Sequence, residues 1–175
     1  MQDEGLQIRR LTELDAEALR TLRLSALETE TQIFAESLDE LVQMSVDTFA
    51  EKLRSGGDEN FVFGAFENYA LVGMAGFYRE RRPKLRHKGW VWGVFVSPQC
   101  RGKGAGRSLL NSVLASARTL PELDCVLLKV ATTQIAAKKL YLSQGFHSFG
   151  VEARALKVGE NYIAEEHMVL DLRQF

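Results

Sequence analysis

A strand–helix–strand unit in the second half of this 175-residue chain constrains the fold more than any other feature. Residues 90–96 are the most strand-like segment of the sequence. Residues 104–119 read as a helix with Leu109, Leu110, Val113 and Leu114 on one face, and Pro121 blocks its continuation. Residues 125–130 then form a nearly continuous apolar run, as expected of a strand buried on both faces. Parallel pairing of two strands joined in this way needs a right-handed crossover.

The remaining elements arrange themselves around that unit. Residues 6–11 alternate as a first strand, and Thr12 or Asp15 can cap a helix with Ala18, Leu19, Leu22 and Leu27 on its apolar face. A second helix near residues 46–53 stops at Gly56-Gly57. Residues 61–66 and 71–78 form a hairpin about a tight turn at Glu67-Asn68, with Gly73 and Gly76 interrupting the second strand. Residues 79–88 are basic, contain Pro83 and read as a solvated loop. Residues 134–144 are helical and end at Gly145, and strands near residues 147–155 and 164–171 close the chain. The order implies an α/β fold: a mixed, largely antiparallel twisted sheet with helices on both faces, in one domain spanning residues 1–175.

Composition narrows the partners. A chain with 46% hydrophobic and 26% charged residues builds a core without metal or disulfide staples. A formal net charge of −1 gives no global drive toward nucleic acid or an anionic membrane. Two cysteines, Cys100 and Cys125, suit a reducing compartment, so a cytoplasmic location is expected. Met1 to Gly5 lacks a basic region followed by an apolar stretch and does not read as a signal peptide. The three histidines have no metal-ligand spacing with the cysteines, so no metal is expected.

The chemistry begins where the strand at residues 90–96 runs through Pro98 into Arg101-Gly102-Lys103-Gly104-Ala105-Gly106 and then into a helix. Unpaired N–H groups at a helix start favour an anion, and glycines let main chain approach a phosphate closely. Neither the P-loop nor the dinucleotide fingerprint fits: Gly106 is followed by Arg107-Ser108, and the glycines recur at every second position. The segment resembles the Arg-x-x-Gly-x-Gly signature of the GCN5-related N-acetyltransferases (GNAT), as does the Val-x-Val-x-Pro of residues 94–98. A second match, Ala137-Lys138-Lys139-Leu140-Tyr141-Leu142-Ser143-Gln144-Gly145-Phe146, is similar to that family's Ala-x-x-Leu-Tyr-x-x-x-Gly-Phe. The matching block, residues 90–146, covers roughly a third of the chain.

The resemblance implies acetyl-CoA as co-substrate. Its pyrophosphate would lie on Arg101, Gly102, Lys103, Gly104, Ala105, Gly106 and Arg107, and its pantetheine arm along Val94, Phe95 and Val96. Gly89 and Gly93 would leave that strand partly bare for the ligand, or mark a bulge. Gln134 stands where the family often has Asn, with the same donors and acceptors one methylene further out. Tyr141 would protonate the leaving thiolate, as a phenol of ordinary pKa near 10 can.

A general base is harder to find. Deprotonating a lysine-like amine at neutral pH costs about 4.6 kcal/mol. The strand at residues 90–96 has no carboxylate, which leaves Glu80, Glu36 and Asp39 as candidates. His87 lies near the same strand, and Trp90 and Trp92 share one of its faces. The resemblance also places an acceptor pocket near Phe34, Glu36 and Ser37, and a homodimer is a family-level expectation. The expected acceptor is a small-molecule primary amine; the alternatives are a protein N-terminus or lysine, or an acyl-CoA sensor without catalysis.

Overall fold

The computed structural model describes residues 5–30 and 34–173. Among the described residues seven strands form one sheet: β1 (Gln7–Arg10), β2 (Asn60–Glu67), β3 (Ala70–Arg79), β4 (Lys88–Val96), β5 (Cys125–Ala131), β6 (His147–Val158) and β7 (Asn161–Asp171). Their spatial order is β1-β2-β3-β4-β5-β7-β6, with β4 and β5 parallel and the other described neighbours antiparallel. The helices are α1 (Ala16–Thr29), α2 (Leu38–Gln43), α3 (Val46–Ser55), α4 (Ala105–Arg118) and α5 (Ile135–Ser143). The crossover through α4 is the expected strand–helix–strand unit.

Each face of the sheet carries its own core. On one face, Leu109, Leu110, Val113 and Leu114 of α4 pack with Phe77, Val126, Leu128, Tyr141 and Phe146. On the other, Leu19, Leu22 and Leu27 of α1 join Leu41 of α2, Phe49 of α3 and the sheet residues Val62, Met74 and Phe95. Ala18, expected on the apolar face of α1, is exposed; Ala16 and Ala26 are buried instead. A 3-10 turn at Glu13–Asp15 precedes α1, so Thr12 caps the turn and the helix starts rotated from the expected register.

Four local differences from the sequence reading have physical reasons. Helix α2 was not expected, although Ser37 and Glu40 form a capping box: Glu40 N–H donates to Ser37 Oγ (3.2 Å) and Ser37 N–H to Glu40 Oε2 (2.8 Å). The hairpin turn is Asn68-Tyr69, one residue later than expected, with φ of 50° and 65° at its two central positions. Positive φ at both is the geometry that matches the twist of the flanking strands. The basic segment 79–88 is not wholly solvated. Arg79 ends β3 buried, donating to Arg86 O (2.5 Å), Pro121 O (2.8 Å) and Glu59 Oε1 (3.1 Å), which satisfies a guanidinium removed from water.

Gly89 does not leave a bare face. A Cβ there would stand 2.3 Å from Phe77 Cζ, so the glycine makes room for a core ring. Gly93, by contrast, has φ of 61° at the point where the β3–β4 register shifts, which is a bulge. Cys100 and Cys125 are free thiols, and no described helix is long and apolar enough to cross a membrane. The reading of the extreme N-terminus falls on residues 1–4, outside the described residues.

Gly89→Ala is expected to destabilise the fold by about 1–3 kcal/mol through overpacking. Gly150→Ala, where a Cβ meets nothing within 4 Å, should change stability by less than about 0.5 kcal/mol. Urea denaturation compares the two, and an unshifted midpoint for the first would show that Phe77 yields freely.

Candidate active site

The β4–β5 ladder holds for three residue pairs, Lys88↔Cys125, Gly89↔Val126 and Trp90↔Leu127. Beyond them the strands part, and a cleft of about 410 Å³ opens between residues 91–96 and 128–131. The N-terminus of α4 closes one end, and Tyr141 of α5 faces the same space. Val94, Phe95 and Val96 all line the cleft, on a stretch of β4 with no partner strand on that side. Phe95 sends its ring into the α1–α3 core.

At the mouth, the turn before α4 presents a set of unused donors. The main-chain N–H groups of Gly102, Lys103, Gly104, Ala105, Gly106 and Arg107 donate to nothing among the described residues. Gly102 and Gly104 have φ of 80° and 85°, which aims successive amides to one side, and a Cβ at either would meet only open space. The requirement for glycine is therefore conformational, and the approach to the amides is clear. Such a nest of N–H groups at a helix start suits a phosphate or diphosphate.

The neighbouring cations are placed differently from the expectation that all face the anion. Arg101 donates to Val96 O (2.9 Å) and to Glu30 Oε1 (2.6 Å), and Lys103 to Glu67 Oε1 (2.6 Å). The Lys103 hydrogen bond holds the Glu67 carboxyl below its ordinary pKa, and Glu67 in turn raises Lys103. Arg107 is exposed and has no carboxylate partner among the described residues. Gln134 caps the start of α5 and donates through Nε2 to Glu30 Oε2 (3.3 Å). Glu30 thus spans the cleft mouth between Arg101 and Gln134. Sequence reasoning missed it, because a lone carboxylate at a helix end carries no motif.

Tyr141 is 6% exposed, with its ring edge-on to Phe146 at 6.0 Å between centroids. Its hydroxyl has no hydrogen-bond partner among the described residues. Burial pushes the phenol well above its ordinary pKa. It stays protonated throughout the physiological range, so its O–H is available as a donor.

A second, larger cavity of about 520 Å³ lies on the α1–α3 side and shares Phe34, Trp92 and Gly93 with the cleft. Of the three base candidates, only Glu36 lines it, paired with Arg23. Glu80 accepts from Trp90 Nε1 (3.0 Å) and lines neither space, as does exposed Asp39. Trp92 lines both spaces, Trp90 neither. Ser37 serves as the cap of α2, and His87 uses its carbonyl to accept the N–H groups of Asp124 and Cys125 where β5 begins. Among the described residues no group of three or more His, Cys, Asp or Glu could hold a metal ion.

The sequence profile of the acetyltransferase (GNAT) family matches residues 20–146. The chain belongs to the GNAT family. One relative, the N-alpha-acetyltransferase RimI of Mycobacterium tuberculosis, is 37% identical to this GNAT chain over 100 residues, covering 57% of the chain and 60% of the relative. The chain thus spans less than two-thirds of that relative's length. Among solved structures, an acetyltransferase of the GNAT family from Streptococcus pneumoniae superposes with a TM-score of 0.85 at 24% identity, over 97% of this chain and 100% of the other. The Salmonella typhimurium yncA structure, determined with acetyl-CoA, gives 0.84 at 21% identity, over 98% and 96%. A ribosomal-protein-alanine N-acetyltransferase from Brucella melitensis gives 0.82 at 24% identity, over 95% and 99%. These likenesses establish the GNAT fold.

Glu30→Gln removes a carboxylate from the cleft mouth and frees Arg101. The affinity for coenzyme A, measured by calorimetry, should rise several-fold, by about 1 kcal/mol. A fall would mean that Glu30 serves to hold Arg101 in its binding position.

Proposed function

We propose that the chain, as one catalytic domain, transfers an acetyl group from acetyl-CoA to the primary amine of a small molecule in the cytoplasm. The observation that carries this reading is the meeting of two features in one cleft: unpaired amides at residues 102–107 and the protonated hydroxyl of Tyr141. The amides and Arg107 suit a pyrophosphate, and the unpartnered edge of β4 at Val94, Phe95 and Val96 suits an amide-bearing arm such as pantetheine. Bound there, acetyl-CoA would supply the thioester. Two free cysteines fit the reducing compartment.

In this reading the acceptor nitrogen bonds to the thioester carbonyl carbon as the carbon–sulfur bond breaks. The thiolate takes a proton or hydrogen bond from Tyr141, and the nitrogen gives up its own proton. Tyr141 cannot be the base for that last step, because its phenol is already protonated. Glu36 is the base candidate that reaches the acceptor-side cavity.

A second reading, acetylation of a protein α-amino group, is favoured by the likeness to RimI. Thiol release from acetyl-CoA with a panel of small amines and peptides separates the two. Turnover on peptides alone would replace the small-molecule reading, and failure to bind coenzyme A would remove both.

Tyr141→Phe should lower kcat by about 10²–10⁴-fold while leaving the affinity for acetyl-CoA within a few-fold. An unchanged kcat would take the residue out of the reaction. Because the phenol's pKa lies above 10, kcat of the parent enzyme should rise with pH as the amine deprotonates and show no falling limb below about pH 10. A fall near neutral pH would mean that a different acid serves the thiolate.

A further inference from the structure

The larger cavity carries chemistry that the reading above does not use. Arg23 of α1 is 9% exposed, yet it lines this cavity. Its Nη2 is taken by Glu36, while Nη1 and Nε donate to nothing among the described residues. Neither atom is sealed off: the one fully enclosed side-chain polar atom without a hydrogen-bond partner, among the described residues, is Asp124 Oδ1. A buried guanidinium that lines a cavity with unused donors is costly unless a ligand completes them.

The placement of the guanidinium is specific. The guanidinium lies over the rings of Phe34 (5.6 Å) and Trp92 (5.5 Å), which fixes its plane. Its Nη1 comes within 3.1 Å of where a Cβ on Gly93 would stand. Phe34, Trp92 and Gly93 are the residues shared between the cavity and the cleft, so Arg23 sits at the passage between them. An acceptor held in the cavity with its amine toward the cleft would lie beside these residues.

Charge and polarity define the rest. The cavity's charged lining is Arg10, Arg23, Lys52 and Glu36, an excess of cations. Arg10 is engaged by Asp58 and the Gly57 carbonyl, whereas Lys52 has no carboxylate partner among the described residues. Beyond Arg23 the walls are apolar, formed by Leu41, Phe49, Leu53 and Val62 among others.

We propose that the acceptor is a free α-amino acid with an apolar side chain, its carboxylate held by the free Nη1 of Arg23. The proposal rests on the acetyl-transfer reading and names its substrate class. An α-carboxylate is one carbon from the amine, so both groups lie at the passage while the side chain extends between Leu41 and Leu53. Glu36 Oε1, which has no partner among the described residues, faces the ammonium before its proton leaves. A peptide N-terminus offers a neutral amide where the carboxylate belongs. The charged hydrogen bond so lost is worth about tenfold to a hundredfold in affinity.

The test compares L-leucine, L-methionine and L-phenylalanine with their primary amides. Calorimetry on coenzyme A-loaded enzyme reads binding, and thiol release from acetyl-CoA reads turnover. The free acids should bind and react at least about tenfold better than the amides. In Arg23→Gln that preference should fall to near unity. Amides or peptides that match the free acids on the unmodified enzyme would overturn the proposal without any variant. Free acids that bind but are never acetylated would uphold the carboxylate site and refute acetyl transfer. Acetylation of amines lacking a carboxylate, with no binding of free acids, would do the reverse.

Discussion

The parallel ladder between β4 and β5 runs from Lys88 to Trp90, and the gap that opens beyond it is the constraint on which the site depends. On its other side β4 remains paired with β3 as far as Val96↔Gly73, so the strand stays in the sheet while one row of its main-chain groups goes without a strand partner. Unpaired backbone groups away from water are costly, which makes such a row a natural place for an extended polar ligand. The bulge at Gly93 is part of the same arrangement. On β3, Gly76 has no side chain to oppose the Trp92 indole, whose Cε2 stands 2.2 Å from where a Cβ would be. That indole becomes the wall between the cleft and the larger cavity.

Carboxylates organise the glycine turn before α4, the proposed phosphate site. Glu30 holds Arg101 and Glu67 holds Lys103, so the two cations that flank the amides are neutralised locally. The cations of both pairs stand about half exposed to solvent, so each pair is screened and contributes little to stability. Their effect is on the ligand: a diphosphate competes for the same cations, while the amides and Arg107 are available without rearrangement. Affinity is then a difference between two sets of charged contacts, and salt should act on both.

The strands and their order along the chain were legible because they rest on strong local signals. The alternation in residues 61–66, the apolar run at 125–130 and the stops at Pro121 and Gly145 each fix an element with little tertiary help. The glycine turn and the Tyr141 helix were legible as motifs, and the structure brings both to one cleft. What was not legible depends on contacts distant in sequence. Gly89 looked like a bare position, but whether Phe77 fills it depends on the β3 register. Glu30 meets Gln134 across 104 positions, and Arg23 meets Glu36 across a connection that no periodicity describes. Arg79 looked like one more charge in a basic loop, because nothing local reveals that Pro121 returns to accept from it.

The second motif also shows why packing and chemistry need not be rival explanations of Tyr141. Helix α5 ends with Gly145 N–H donating to Leu142 O (3.1 Å) and Phe146 N–H to Tyr141 O (3.2 Å). Gly145, at φ of 90°, reverses the chain so that Phe146 comes back beneath the tyrosine. A spacing of five residues is what lets that phenyl edge meet the Tyr141 ring. The ring is thereby fixed in the α4–α5 core, and a fixed ring directs its hydroxyl. With Phe146 on one side and the cleft on the other, the phenol is dry enough to stay protonated and is left without a partner among the described residues. The same burial that stabilises the helix end supplies an oriented, protonated donor.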